Sequence, residues 1–387
     1  MRLAYLDPHA VPDEIPEALQ ILYTVDALGE IGVDVTLVTP KPWRAITTDS
    51  ILGRALDARV ALQPLPDLRK RWWFPFTSNK PFYFLATRAL RRLAPDVVLV
   101  RNLKMAEYLL RRAPQIPLIF ETHEVFAQTY REEHPNPSAR QRRKLEALVA
   151  REGFVYRHAA GLLALTPLLL DDIRQAYDVN VPGAVIPDGV DLRQAQAPRV
   201  SAPNPVPMLL YLGSLHPWKG VETLIRAMQH VKHPAQLTIV GGNTHRISEL
   251  RALAMDEAVA ERVSFIGPVE PGRRFEWIHR ADICLLPLTP TSIGSRYTSP
   301  LKLFEYLAAG KPIVVSDLPS MRAVLEPEKH ALLVAQSDAE GFAQAIERLL
   351  AQPALRERLG AAARWHAQDF TWRKRAERVL AFIQKQL

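Results

Sequence analysis

The stretch that decides the fold is MLLYLGSLHPWKGVETLIRAMQHV, residues 208–231. It begins with an apolar run at 208–212, turns at Gly213 and continues as an amphipathic stretch over 221–231. An apolar run that ends in glycine and leads into a helical pattern is typical of a parallel strand with its crossover helix. The segment therefore predicts an α/β protein.

The same alternation recurs in both halves of the 387-residue chain. Strand runs this apolar predict sheets that are buried on both faces, and the alternation predicts parallel pairing. Helices are expected at 14–31, 105–112, 140–157 and 221–231, and strands at 3–6, 35–39, 97–101, 118–122, 162–165, 184–186, 208–212, 237–240, 263–266, 283–287, 313–315 and 332–334.

Two domains are expected, because single hydrophobic cores stop growing at about 250–300 residues. Residues 194–207 contain four prolines and predict an extended, semi-rigid linker. Two Rossmann-like domains on such a hinge would face each other across a cleft lined by the carboxyl ends of both sheets. The expected division is an N-terminal domain 1–193, the linker 194–207, a C-terminal domain 208–369 and a C-terminal helix 370–387.

Composition favours a soluble, cytoplasmic chain. Cys284 is the single cysteine, so no intrachain disulfide can form, which suits a reducing compartment. The N-terminus reaches Asp7 before any signal-peptide apolar core. The longest apolar stretch, 159–170, is shorter than the about 20 residues that a bilayer-spanning helix needs.

The net charge of +8 is unevenly placed, with a basic run between Arg69 and Arg112. Residues 69–76, RKRWWFPF, place three cations beside four aromatic rings, and Arg88, Arg91 and Arg92 follow in the basic-aromatic stretch 69–92. Such a stretch predicts peripheral docking on the anionic inner membrane face, to reach a lipid-linked acceptor. The alternative is that the rings fill the core and the cations are solvated. Nucleic acid is not expected as a partner, because no recognition motif accompanies the charge.

The segment YTSPLKLFEYLAAGKP, residues 297–312, predicts a helix that starts at an anion site. Ser299 is suited to the N-cap and Pro300 to the first helical position. The free backbone N–H groups of Leu301 and Lys302 would then bind a phosphate, and Lys302 adds positive charge.

Glu305 lies one turn further along the same helix. With a phosphate at the helix start, its carboxylate has the reach for a bidentate contact to a ribose diol. The alternative is an ordinary amphipathic helix with an i,i+3 pair between Lys302 and Glu305.

Two further residues stand where predicted strands end. Lys219 lies in the loop after 208–212 and is suited to neutralise a diphosphate leaving group, whereas a loop lysine is more often simply solvated. His123 follows the run 118–122, which places it at the cleft edge of the first domain. Its alternative is a surface histidine or a satisfied core histidine.

Together these features resemble the family 4 glycosyltransferases, which are retaining enzymes of the GT-B fold. The resemblance spans nearly the whole chain and is strongest over the second domain. The residues that carry it are His123, 186–191 (IPDGVD), 213–220, 299–312 and 370–372 (FTW).

The resemblance implies a role for each site residue. No protein nucleophile, metal or other cofactor is implied, since the leaving phosphate assists the acceptor in a same-face displacement. The C-terminal helix would cross back to the first domain. The implied catalytic residues are His123, Lys219 and Glu305; the implied contacts are Gly213, Ser214, Lys219, Ser299, Pro300, Leu301 and Lys302 to the donor diphosphate, Glu305 to the ribose, His123 and Tyr297 to the donor sugar, and Gly267, Pro268 and Val269 to the base.

The sequence departs from the family pattern at three places. Ser214 stands where the family has an arginine, and Tyr297 stands eight positions before Glu305, where it has a glutamate. Residues 7–10, DPHA, replace the glycine-rich loop after the first strand. Arg296 is a candidate substitute for the missing cation.

Three classes of function follow from the sequence. The leading hypothesis is a retaining transferase that moves a sugar from a nucleotide diphosphate sugar to a glycan or lipid-linked acceptor. The second is an isomerase resembling nucleotide-sugar 2-epimerases, and the third is a catalytically weakened nucleotide-sugar-binding partner. Donor turnover separates the third class from the others, and product identity separates the first two.

Overall fold

The computed structural model describes residues 1–43, 45–70, 78–196 and 204–387. The chain forms two compact units. The first comprises Met1–Pro187 together with Trp372–Leu387, and the second comprises Asp188–Thr371. Each unit contains one parallel sheet with its connecting helices, so the α/β class expected from the sequence is confirmed.

The first unit is built on a seven-stranded sheet of order β3-β2-β1-β4-β5-β6-β7. The order reverses between β1 and β4, so the loops after these two strands diverge and leave the crevice in which open α/β sheets bind ligands. The strands are β1 Arg2–Leu6, β2 Asp34–Pro40, β3 Val60–Leu65, β4 Val97–Val100, β5 Leu118–Thr122, β6 Gly161–Ala164 and β7 Gly183–Val185; the helices are α1 Pro16–Glu30, α2 Thr48–Leu52, α3 Lys80–Leu93, α4 Leu103–Arg112, α5 Phe126–Glu133, α6 Ala139–His158 and α7 Pro167–Tyr177.

The C-terminal helix, Trp372–Gln384, is part of the first unit. The Trp372 ring stacks on Tyr23 of α1 with ring centroids 5.3 Å apart. Trp372, Val379 and Ile383 are buried, and they cover α1 with the apolar face of the helix. The end of the chain thereby completes the unit in which it begins.

The second unit is built on a six-stranded sheet of order β10-β9-β8-β11-β12-β13, which reverses between β8 and β11. Its core lines both faces of the sheet. The strands are β8 Met208–Leu212, β9 Gln236–Val240, β10 Val263–Gly267, β11 Ile283–Leu286, β12 Ile313–Ser316 and β13 Leu332–Val334; the helices are α8 Leu192–Gln196, α9 Val221–His230, α10 Thr244–Asp256, α11 Arg274–Arg280, α12 Leu301–Ala308, α13 Pro319–Arg322, α14 Ala339–Ala351 and α15 Pro353–His366.

The region between the units differs from the expected linker. Residues 188–193, assigned to the first domain from sequence, belong to the second unit, and Leu192–Gln196 is helical rather than extended. The second unit holds this segment through an N–H group of Val190 that donates to the Phe370 carbonyl at 2.8 Å. Residues 197–203 of the expected linker lie outside the described part of the chain.

Candidate functional site

Glycines line the carboxyl end of the second sheet. The N–H group of Gly213, after β8, donates to the Val240 carbonyl at 2.8 Å, and that of Gly241, after β9, donates to the Gly267 carbonyl at 2.7 Å. A Cβ on Gly241 would lie 2.2 Å from the Gly213 carbonyl oxygen. Because no side chain intervenes, the loops after β8, β9 and β10 approach one another as bare backbone, which suits a ligand that lies against main chain.

The loop after β8 is fixed against the end of β11. Gly220 has φ of +68°, and a Cβ there would lie 1.8 Å from the Pro287 carbonyl oxygen. The Thr289 N–H and hydroxyl groups both donate to the Trp218 carbonyl, at 3.1 and 3.0 Å. Lys219 is held in this loop with its ammonium 3.5 Å from the Trp218 ring centroid. The loop therefore presents Lys219 at the switch point of the second sheet.

Lys302 is the most unusual residue of this edge. Its side chain is buried, and its ammonium has no hydrogen-bond partner among the described residues. The nitrogen lies 3.8 Å from the Tyr211 ring centroid and directly over Gly213, where an added Cβ would come within 2.7 Å of it. Burial, assisted by the nearby Lys219, holds the pKa of Lys302 well below its ordinary value. A buried cation in this state is stabilised by a bound anion.

Helix α12 starts beside this ammonium. Ser299 is not its N-cap, which corrects the expectation from sequence; Pro300 holds that position. The Ser299 hydroxyl instead accepts from the Asp188 N–H group at 2.9 Å, because the 188–196 segment packs alongside the helix start. Within the described chain, the N–H groups of Leu301 and Lys302 have no hydrogen-bond acceptor. The helix start thus keeps free donors for an anion.

Glu305 pairs with Arg274 and not with Lys302, so the ordinary i,i+3 pair is wrong. The Arg274 Nε atom lies 2.5 Å from Glu305 Oε1, and both side chains are nearly buried. Arg274 also donates to the Pro271 carbonyl at 2.6 Å and to Gln194 Oε1 at 2.9 Å. These contacts fix the Glu305 carboxylate on α12, one turn beyond the free N–H groups.

The remaining residues expected to contact the donor belong to the second unit and differ in their burial. Tyr297 is enclosed, with 1% of its surface exposed, in a short π-helical turn, Ile293–Tyr297. Ser214 is half-buried, and its carbonyl accepts from the Tyr211 hydroxyl at 2.7 Å. Gly267 follows β10 with open space at its Cβ position; Pro268 is exposed and Val269 half-buried.

The corresponding edge of the first unit begins with Asp7, at the end of β1. Its buried Oδ1 accepts from both the backbone N–H group and the ring Nδ1 of His9, each at 2.8 Å. The hydrogen bond to Asp7 raises the pKa of His9 against the effect of burial. Arg69 braces this loop, since it donates to the Pro8 carbonyl at 3.3 Å while it pairs with Asp67.

His123 lies just beyond β5 with its ring held on both sides. Nε2 lies 3.0 Å from Glu121 Oε1, and Nδ1 lies 3.3 Å from Arg101 Nη2. Glu121 is buried and also pairs with Arg375 of the C-terminal helix at 2.6 Å. Burial and Arg101 lower the pKa of His123, although Glu121 opposes them. Both ring nitrogens of His123 therefore have partners, as the alternative of a satisfied histidine predicts.

The structure describes only part of the basic-aromatic stretch 69–92. Residues 71–77, which include its tryptophans, lie outside the described residues. Arg69 is directed inward to Asp67, so it is not one of the solvated cations. On α3, Phe84 is 58% exposed, and Lys80, Arg88 and Arg92 lie on the same exposed helical face at four-residue spacing.

The described residues contain neither a helix that could span a membrane nor a cluster of metal ligands. No helix among them combines the length and the apolar character needed to cross a bilayer. No group of three or more histidine, cysteine, aspartate or glutamate residues among them is arranged to hold a metal ion.

Several residues that matter to these edges were missed by the sequence analysis. Gly241 had a signal, since a glycine pair follows the predicted strand 237–240. No local sequence signal pointed to Arg274 or Arg375, because each forms an ion pair with a carboxylate that is distant in sequence. Glu121 was hidden as a charged residue within a buried strand.

The comparisons with solved structures agree with this architecture. A sucrose-phosphate synthase from Thermosynechococcus elongatus matches with a TM-score of 0.80 and 19% identity over 99% of this chain and 98% of that chain. HepE from Anabaena in complex with UDP-glucose matches with a TM-score of 0.74 and 14% identity over 100% of both chains. The fold is that of the two-domain GT-B class.

The family follows from the sequence comparisons. The profile described as "Glycosyltransferase Family 4" matches residues 19–194, and that described as "Glycosyl transferases group 1" matches residues 206–352. The chain belongs to this family of group 1, family 4 glycosyltransferases. It is 30% identical over 236 residues to a D-inositol 3-phosphate glycosyltransferase from Xylanimonas cellulosilytica, covering 57% of this chain and 55% of the relative. The chain spans 43–66% of the length of such curated relatives.

Proposed function

We propose that the chain is a retaining, metal-independent glycosyltransferase that takes a sugar from a nucleoside diphosphate sugar. The donor binds at the carboxyl end of the second unit's sheet, and the acceptor is a glycan or a lipid-linked sugar held by the first unit. UDP is the leading candidate for the nucleotide, since HepE was crystallised with UDP-glucose.

The observation that carries the proposal is the buried Lys302 ammonium beside the start of α12. It has no hydrogen-bond partner among the described residues, and it lies over the bare backbone of Gly213. A diphosphate supplies the missing negative charge to Lys302 and accepts from the free N–H groups at the helix start. Lys219 completes the cationic surroundings of the leaving group.

The proposed chemistry needs charge stabilisation more than proton transfer. Lys219, Lys302 and the N-terminus of α12 together stabilise the charge that develops on the departing diphosphate, which is the work that a divalent cation does in other transferases. Retention is proposed because the chain belongs to the group 1, family 4 glycosyltransferases, and the resemblance to that family implies a same-face displacement. The leaving phosphate then takes the acceptor proton on the same face.

Glu305 is proposed to bind the two ribose hydroxyls. Its carboxylate is held by Arg274 at 2.5 Å, so that it is oriented before the donor arrives. Gly267, Pro268 and Val269 lie at the adjacent edge strand, where the base would rest on backbone. His123 is proposed to contact the donor sugar.

The test is a thermal-shift and hydrolysis screen with UDP-, GDP-, ADP- and TDP-sugars in the presence of a chelator. We expect one donor to raise the Tm of the native chain and to be turned over, and both effects to be lost in Lys219→Ala and Glu305→Ala. Lys329→Ala is the matched control, because Lys329 pairs with Glu326 on the exposed surface of the same unit. If no donor raises the Tm, the donor site is refuted.

Product analysis separates this proposal from its alternatives. A 2-epimerase returns an altered free nucleotide-sugar, whereas a transferase returns free nucleotide and a new glycoside. A weakened binding partner shows the Tm shift without turnover. Family membership favours the transferase over both.

We also propose that the exposed face of α3 docks the first unit on an anionic membrane surface. Phe84 is 58% exposed between the cations of this face, and a single aromatic ring surrounded by cations suits the boundary between headgroups and acyl chains. Each cation near an anionic surface contributes about 1 kcal/mol. The proposed location is therefore peripheral, on the inner membrane face.

Liposome flotation tests the docking surface. We expect the native chain to float with phosphatidylserine vesicles and not with phosphatidylcholine vesicles, and Phe84→Ala and Arg88→Gln each to reduce the floated fraction. Arg59→Gln is the control, since Arg59 pairs with Asp34 on another exposed part of the unit. Equal flotation with both kinds of vesicle, or with neither, would refute the electrostatic docking.

A further inference from the structure

A buried ionic cluster at the carboxyl end of β5 holds His123, which is proposed to contact the donor sugar. Its centre is Glu121, whose side chain is 1% exposed. Oε1 of Glu121 accepts from three donors: Arg375 Nη2 at 2.6 Å, Gln20 Nε2 at 2.6 Å and His123 Nε2 at 3.0 Å. The carboxylate therefore joins the C-terminal helix, α1 and the loop that carries His123.

These contacts determine the tautomer of His123. A guanidinium has only N–H donors, so the contact from Arg101 at 3.3 Å requires an unprotonated Nδ1. An ionised carboxylate only accepts, so the contact to Glu121 requires a proton on Nε2. The ring is then a neutral imidazole with both nitrogens already used by the protein.

Arg375 compensates the charge of Glu121. Its side chain is 2% exposed, and it also donates to Thr24 Oγ1 at 3.1 Å. Thr24 lies on α1, so Arg375 is held between α1 and β5. Burial alone would raise the pKa of Glu121, but Arg375, His123 and Arg101 outweigh burial and hold it well below its ordinary value.

We propose that Arg375 is a positioning residue for sugar transfer, which acts through Glu121 to hold the His123 imidazole neutral, in one tautomer and in one orientation. The proposal deepens the proposed function, on which its catalytic consequence rests. His123 then serves the donor sugar as a rigid neutral wall, and neither ring nitrogen delivers or accepts a proton in the reaction. The C-terminal helix becomes part of the machinery of the first unit.

The charged groups around His123 set the expected response to mutation. Glu121 faces it from β5, Arg101 from the end of β4 and Arg375 from the C-terminal helix; the buried Tyr5 hydroxyl of β1 lies in the field of Glu121 and of Asp7. Loss of Arg375 removes the main counter-charge of Glu121 beside the ring. The imidazolium form of His123 is then stabilised, and its pKa rises.

The experiment follows the His123 ring signals by NMR in the isotope-labelled full-length chain between about pH 5 and pH 8. We expect no titration of His123 in the upper half of this range in the native chain, and a titration shifted upward in Arg375→Met. The double variant Glu121→Gln/Arg375→Met removes both charges and is expected to return the ring to the neutral form. Arg373→Met is the matched control, since Arg373 lies on the exposed side of the same helix and pairs with Glu377.

Kinetics then test the role in transfer. In Arg375→Met we expect kcat to fall about tenfold or more with KM for the donor within about twofold, most strongly at the acid side, because a misplaced or charged ring costs transition-state stabilisation. Arg375→Lys keeps the charge and is expected to recover part of kcat. If Arg375→Met does not fold, Arg375→Lys and the double variant carry the comparison.

Each outcome bears on a separate claim. Titration of native His123 near neutrality, or a ring that stays neutral in Arg375→Met, overturns the positioning role. An unchanged kcat with a shifted titration overturns its catalytic consequence. Absence of any donor turnover in the native chain refutes the proposed function, while the NMR result still decides whether Arg375 controls the ring.

Discussion

The carboxyl ends of the two sheets differ in whether their buried charged side chains have partners. At the second unit, the Lys302 ammonium is buried with no hydrogen-bond partner in the described chain, beside free helix N–H groups. At the first unit, Glu121 faces Arg375 and His123, and Asp7 faces His9. The second edge holds an ammonium with no hydrogen-bond partner among the described residues, whereas the carboxylates of the first edge are hydrogen-bonded within their own unit.

This difference indicates what each edge requires of a ligand. A buried cation without a counter-charge makes the ligand-free second unit less stable than it would be with an anion bound. Because the carboxylates of the first edge are already paired, a ligand there needs no compensating charge and binds through shape and hydrogen bonds. The comparison therefore supports the proposed binding of the diphosphate at the second unit and of a hydroxyl-bearing acceptor at the first.

The largest expected effect comes from disrupting the close backbone approach at the second edge. Gly220→Ala places a Cβ 1.8 Å from the Pro287 carbonyl oxygen at φ of +68°, so strain and overpacking add. We expect the free energy of unfolding of the second unit to fall by about 3–5 kcal/mol, measured by urea denaturation. Gly267→Ala is the control, since Gly267 has φ of +82° but open space at Cβ; it should cost about 1 kcal/mol. Equal losses in the two variants would contradict the close-approach argument.

The second effect tests the paired edge of the first unit. Removal of one partner of a buried ion pair leaves an uncompensated charge, so Arg375→Met and Glu121→Leu should each lower the free energy of unfolding by about 3–5 kcal/mol. The double variant should lose less than either single variant, because neither charge remains. A double-mutant cycle by urea denaturation measures the coupling. Additive losses would show that Glu121 and Arg375 do not act as a pair.

The third effect tests the unpaired cation. Lys302→Met removes a buried charge while it keeps the volume, so the ligand-free chain should gain about 1–3 kcal/mol of stability. The same variant should lose the rise in Tm on addition of UDP or its sugar. Tyr306→Phe, which removes a hydroxyl that accepts from the Leu212 N–H group, is a control for packing of α12 and should retain the UDP shift. A Lys302→Met chain that is destabilised and still binds UDP would refute the anion site.

The pH dependence of stability gives an independent reading of Lys302. Its pKa in the folded chain lies well below the ordinary 10.5 that applies to the unfolded chain. Between the two values the unfolded state binds the extra proton, so the free energy of unfolding rises with pH through that window. Comparison of urea denaturation at several alkaline pH values should show this slope in the native chain and its reduction in Lys302→Met.

The fold was largely predictable from sequence because buried parallel strands are continuous apolar runs. Strand β3 is the exception and was missed. It lies at the edge of the first sheet, most of its residues are exposed or half-exposed, and Pro64 interrupts it. A strand of this kind has neither the apolar run nor the regular alternation that a sequence pattern detects.

The candidate site was predictable in its loops but not in its ion pairs. Lys219, Lys302 and Glu305 were found because strand, loop and helix signals are local in sequence. The partners Arg274 and Arg375 lie 31 and 254 positions from their carboxylates. Helix and strand periodicities are local, so they could not predict contacts at these separations. Ser299 was expected as a cap because propensity favours it, but tertiary contact with the Asp188 backbone prevailed.

The smallest expected effect concerns His9, at the divergent loop of the first unit. The hydrogen bond from its ring to Asp7 raises the pKa of His9 above the ordinary 6.5, so the folded chain binds the extra proton between the two values. This contribution to stability is complete below pH 6.5 and is lost as pH rises through the raised pKa. NMR titration of the His9 ring should show a midpoint above that of an unfolded peptide, and Asp7→Asn should lower it, while Asp171→Asn on the exposed surface leaves it unchanged. A midpoint that Asp7→Asn does not move would mean that the paired charges of the first edge are less coupled than those of Glu121 and Arg375. Asp7 would then be held by its backbone contact from His9 alone.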